Sequence, residues 1–142
     1  MDAKQYLSQI KKQDLVIENC LLEIARYQDI ACGLGGGYND GVKVQGSKGN
    51  NTEKNMIMYV DKKEQLVEKI NVAIRKRSHI ISLLEKLDVK DYNILYRIYV
   101  HKQSLKEIEI DTGKSHSGIT YAHKRALNNF QTLILSMEDA YE

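Results

Sequence analysis

A chain of 142 residues with 42% hydrophobic and 28% charged residues is ordinary for a soluble globular protein, long enough for one modest core or two small units. Its net charge of +2 is too small to argue for a nucleic-acid or membrane partner, so only the distribution of charge is informative. No apolar run approaches the ~18 residues a bilayer span needs, and the opening MDAKQYLSQIKK lacks the apolar segment of a signal peptide.

Cys20 and Cys32 are isolated, with neither metal-ligand spacing nor a disulfide framework, and suit a reducing cytoplasm. Proline is absent, which removes the commonest helix breaker and permits long helices.

Residues 2–31 read as one amphipathic helix. Leu7, Ile10, Ile17, Leu21, Ile24 and Ala31 recur in alternating three- and four-residue steps, interrupted by Asp14 and Gln28. Residues 32–53 break the pattern with most of the chain's glycines among Asn, Asp and Ser, and read as a loop. Val42 and Val44 allow a short extended piece there. Gly41 and Gly46 have P-loop spacing, but Ser47-Lys48 reverses the required order. Gly113-Lys114-Ser115 has the right triplet, yet Ile108 stands where the first glycine belongs. Neither segment follows a buried strand, so a nucleotide cradle is not expected.

The longest helical pattern covers residues 54–87. Val60, Val67, Ile70, Ile74, Ile81 and Leu84 keep heptad-like steps, widened by Leu66, Ala73, Ile80, Leu83 and Leu87. Two such helices bury their stripes most economically as a long antiparallel, coiled-coil-like hairpin. The apolar surface left over calls for a homo-oligomer, with a dimer favoured. Arg75-Lys76-Arg77 forms a basic cluster, either solvated or a second phosphate contact. Asp88 or Asp91 then caps a tyrosine-rich helix carrying Tyr92, Leu95, Tyr96, Tyr99 and Val100, which reads as core support.

The four histidines have no carboxylate or cysteine at zinc spacing, so neither an enzyme nor a metal or cofactor is expected. His116 and His123, two turns apart, are expected to face DNA or solvent.

In residues 104–130 two short helical patterns flank a tight break. Ser104 is placed to cap the first, with Glu107 three residues on and Leu105 and Ile108 on one face. Gly113 supplies the residue best suited to positive φ after a helix end. Ser115 caps a second helix whose stripe is Ile119, Ala122, Ala126, Phe130 and Leu133. Opposite that stripe lie Ser117, Tyr121, Lys124 and Asn128, flanked by His116, Thr120 and Arg125. Residues 114–130 carry three positive charges and no acidic residue. Such a face offers cations to phosphates and hydroxyl, amide and imidazole groups to base edges. The expected DNA-contacting residues are Lys114, Ser115, His116, Ser117, Thr120, Tyr121, Lys124 and Arg125.

Leu105, Ile108, Gly113, Ser115, Ile119 and Ala126-Leu127 stand in the order found in the helix–turn–helix of sigma-factor region 4, which this segment resembles. Glu109 and Thr112 depart from that pattern, standing where a small and an apolar residue are usual. The whole chain resembles phage and prophage regulators of the RinA/ArpU type, through MDAKQYLSQIKK, GVKVQ and the closing LYRIYV, SLKEI and KRAL runs. That resemblance implies a phage-encoded late-gene activator.

The sequence therefore leads to an all-α protein with a hairpin domain over 1–87 and a DNA-binding helix–turn–helix domain over 88–142. Its expected partner is double-stranded DNA, with no membrane partner. The rival readings are a small-terminase-like DNA-packaging component and an adaptor that binds RNA polymerase.

Overall fold

The structure, a computed structural model, describes residues 2–33 and 48–140. Those residues are all-helical: α1 (Ala3–Ala31), α2 (Lys48–Leu84), α3 (Val89–Leu95), a π-helical turn (Tyr96–Val100), α4 (Leu105–Thr112) and α5 (His116–Ala140), with no strand among them. None of these helices is long and apolar enough to cross a membrane. Residues 34–47 of the expected loop, including Val42 and Val44, lie outside the described residues. Helix α2 already begins at Lys48, six residues ahead of the sequence expectation, and ends at Leu84, three short of it.

Two compact units divide the chain, Met1–Gln13 with Arg75–Glu142, and Asp14–Ile74. In the first, a single core gathers Leu7, Ile10, Ile80, Leu83, Leu84, Ile94, Leu95, Ile108, Ile119, Ala126, Phe130 and Ile134. Residues 1–13 and 75–87, expected with the hairpin, thus share a core with α4 and α5. The start of α1 is fixed by local and distant bonds. Asp2 and Gln5 exchange backbone-to-side-chain hydrogen bonds of 2.9 and 2.8 Å, a reciprocal cap. Ala3 N–H donates to Gln131 Oε1 on α5 at 2.7 Å, and Tyr6 meets Phe130 edge-on. Burying Leu7 and Phe130 completely contributes roughly 1.5–3 kcal/mol each.

Helix α3 follows Asp88, whose backbone takes a capping conformation without a side-chain cap bond. Asp91 is buried instead and accepts a 2.6 Å hydrogen bond from Asn129 Nδ2. A buried carboxylate needs such a partner, and this one ties α3 to α5. After Leu95 the helix widens by one residue per turn, with His101 N–H reaching back to Tyr96 O at 3.0 Å. Lys102 then takes φ 58°, a left-handed conformation that turns the chain toward α4.

In the second unit the buried and half-buried apolar positions of α1 run Val16, Ile17, Cys20, Ile24, Tyr27, Ile30 and Ala31, and those of α2 run Tyr59, Leu66, Ile70, Val72 and Ala73. The expected seam positions Leu21, Val60, Val67 and Ile74 are exposed. Ala31 is buried as expected, whereas Cys20 and Ala73, each one residue earlier than an expected seam residue, are buried in place of Leu21 and Ile74. A broad apolar stripe lets a helix turn by one position without losing burial, which is why periodicity alone misplaced these residues.

Candidate nucleic-acid interface

Helices α4 and α5 are joined by Gly113, Lys114 and Ser115, and each terminus is satisfied by its own sequence. Ser104 Oγ accepts from Glu107 N–H at 3.1 Å, opening α4. Gly113 closes it at φ 72°, with its N–H donating to Glu109 O at 2.9 Å. Ser115 Oγ then accepts from Gly118 N–H at 3.1 Å, capping α5, and lies 3.3 Å from Ser117 Oγ. The two departures from the resembled pattern both brace this turn. Thr112 Oγ1 donates to Ile108 O at 2.7 Å and accepts from Lys114 N–H at 3.4 Å. Glu109 Oε1 pairs with His116 Nδ1 at 2.5 Å.

The inner face of α5 is buried through Ile119, Ala126, Phe130 and Ile134, with Ala122 and Leu133 half-buried beside them. On α4, Ile108 is buried and Leu105 half-buried. This stripe fixes which face of α5 remains outside. Lys114, Ser115, His116, Ser117, Tyr121, Lys124, Arg125 and Asn128 are all exposed, and Tyr121 is 69% exposed despite its size. Thr120 is half-buried, and its hydroxyl donates to His116 O at 2.9 Å, which leaves its oxygen lone pairs for any outside group.

His123 differs from the sequence expectation. It is half-buried rather than outward, 2.9 Å from the Tyr99 hydroxyl through Nε2. Burial, and then the charge of Lys4, hold the imidazole below its ordinary pKa, while burial pushes the Tyr99 hydroxyl above its own. A neutral imidazole accepting from Tyr99 O–H satisfies both shifts. The pair therefore supports α5 from behind.

A cavity of about 390 Å³ opens beside this face, walled by α3, the π-helical turn, α4 and the start of α5. Lys114, Tyr121 and Arg125 line it together with Lys90 and Arg97, two cations that the sequence pattern does not single out. Arg97 is hidden by its apolar neighbours in LYRIYV, where it reads as part of a core helix. Arg75 and Lys76 are exposed and Arg77 is half-buried, away from this cavity's lining. Among the described residues no group of three His, Cys, Asp or Glu side chains could hold a metal ion.

No protein-family model matches the sequence, no curated protein matches it, and no solved structure matches the fold.

Proposed function

We propose that this protein is a sequence-specific DNA-binding regulator of transcription, not an enzyme, in which α4, the Gly113 turn and α5 act as a helix–turn–helix. The observation that carries the reading is the outer face of α5. From Lys114 to Phe130 it has no acidic residue, and it exposes Ser117, Tyr121, Lys124 and Arg125 opposite a stripe of buried and half-buried apolar residues. An α-helix of that kind fits the major groove, with its first two turns at base edges and its cations at phosphates. The role of late-gene activator in a phage or prophage is carried by the resemblance to RinA/ArpU regulators alone.

The unit Asp14–Ile74 is read as a helical hairpin that joins copies of the chain. It exposes Leu15, Leu21, Leu22, Met56, Ile57, Met58, Val60, Val67 and Ile74, more large apolar side chains than a solvated surface needs. A dimer pairs two reading heads on a two-fold site. A closed ring of roughly eight or more subunits favours DNA packaging instead. An adaptor that binds RNA polymerase through the same fold would show no salt-sensitive DNA binding of its own.

Selection of bound sequences from random duplex DNA at a stated salt concentration tests the proposal. An enriched motif, palindromic for a dimer, supports it. Recovery of unenriched duplex at every salt concentration contradicts it.

A further inference from the structure

Arg97 sits in the π-helical turn with its backbone held, since Gln103 N–H donates to Arg97 O at 2.9 Å. Its Nη1 is buried without a hydrogen-bond partner and makes a long ion pair with Asp111 Oδ2 at 3.9 Å. A guanidinium nitrogen held out of water with only a long ion pair is under-satisfied, while the rest of the side chain, 30% exposed, stays open to a better-placed anion. Arg97 lines the cavity beside α5, where Lys90, Lys114 and Arg125 bring the positive charges to four. The cavity's carboxylate, Asp91, is already engaged by Asn129 at 2.6 Å. Ile94, Ile108 and Ile119 supply the apolar part of the wall, which strengthens any charge pairing made there.

We propose that this cavity is a phosphate site, with Arg97 as its principal ligand and a DNA backbone phosphate as its occupant. The inference rests on the DNA-binding reading of α5. It deepens that reading by assigning Lys114 and Arg125 to a phosphate together with Arg97 and Lys90. The planar fork of Arg97 suits two phosphate oxygens at once, and its side chain, 30% exposed, lies at the cavity where a phosphodiester would be met. A phosphate held between the π-helical turn and α5 sets the angle at which α5 meets the groove, so the contact positions the helix without reading a base. Asp111 competes for the same guanidinium from outside the cavity lining.

The test titrates a labelled duplex with the full chain and with Arg97→Gln, Arg97→Lys and Asp111→Asn at two salt concentrations, with thermal unfolding of each variant recorded. Arg97→Gln is expected to weaken binding about tenfold and to flatten the salt slope by about one. Arg97→Lys keeps the slope and loses part of the affinity. Asp111→Asn strengthens binding several-fold in the parent and clearly less on the Arg97→Gln background, a coupling that general charge removal would not produce. Unchanged binding by Arg97→Gln overturns the site and leaves the DNA reading standing. If Arg97→Gln unfolds early, the Arg97 Nε–H resonance of the parent decides: a shift on adding duplex supports the site and no shift overturns it. If the full chain binds no duplex, the DNA reading fails, and inorganic phosphate separates the sources. A shift of the Arg97 Nε–H resonance with phosphate, absent in Arg97→Gln, keeps an oxyanion site fed by free phosphate. No shift overturns it.

Discussion

His116 Nδ1 lies 2.5 Å from Glu109 Oε1, a contact that ties the last turn of α4 to the first residue of α5. Glu109 is mostly covered and His116 mostly exposed, so the carboxylate anchors the imidazole at the edge of the outer face. Glu109→Ala is expected to destabilise the fold by about 0.5–1.5 kcal/mol, the usual worth of a hydrogen bond. Glu109→Gln, which still accepts, should recover most of it. Denaturant midpoints of the three proteins check this, and faster amide exchange at residues 113–118 should accompany the alanine variant alone.

The core of the first unit carries a second expectation. Leu7→Ala and Phe130→Ala remove fully buried side chains and should cost about 2–5 kcal/mol each. Leu21→Ala, at a residue 54% exposed, should stay within about 0.5 kcal/mol of the parent when both are measured at concentrations where the chain is monomeric. Residues 88–142 alone lack Leu7, Ile10, Ile80, Leu83 and Leu84, five members of that core, and should not unfold cooperatively. Urea titration followed by circular dichroism checks all three statements.

Self-association forms the third. Leu21→Asp and Ile74→Asp place carboxylates at residues that one chain leaves exposed, so each should preserve helicity. If these faces join copies, each buries an unpaired charge between them and shifts sedimentation to smaller species. Variants with the parent's mass would remove Asp14–Ile74 as the joining unit.

Acid sensitivity is the fourth. The fold holds His123 below its ordinary pKa, so between that depressed value and about 6.5 the unfolded chain binds more protons than the folded one. Stability from this group is therefore complete above the ordinary histidine range and declines as pH falls through the window. His123→Gln should flatten that part of the profile. Urea midpoints at pH 7.5 and 5.5 measure it.

The sequence foretold helix existence better than helix partners. Alternating three- and four-residue apolar steps, broken only at Asp14 and Gln28, placed the first helix at 2–31, against Ala3–Ala31 observed. Ser104, Gly113 and Ser115 announced their turn because each carries its own cap or backbone requirement. Gly49, Asn50 and Asn51 disguised the start of α2, since low-propensity residues there resemble a loop. Which core Leu7 and Ile10 enter was not legible, because periodicity marks the buried face and not what covers it. Cys20 against Leu21 and Ala73 against Ile74 show the same limit at one-residue resolution. The π-helical turn has no glycine or proline to announce it, so the placement of Arg97 stayed hidden. His123 looked free because its partner, Tyr99, is 24 residues away.

The central claim is that the exposed face of α5 enters a DNA groove. Titration of the full chain and its α5 variants on a selected duplex and a scrambled one, each at two salt concentrations, tests it most directly. Lys124→Ala should weaken both duplexes alike and flatten the salt slope by about one. Ser117→Ala and Tyr121→Ala should leave the scrambled duplex unchanged. On the selected duplex each should cost roughly 1–3 kcal/mol wherever it removes a bidentate pairing with a base. Unchanged affinity, slope and preference in all three variants would contradict the claim and take α5 out of the groove.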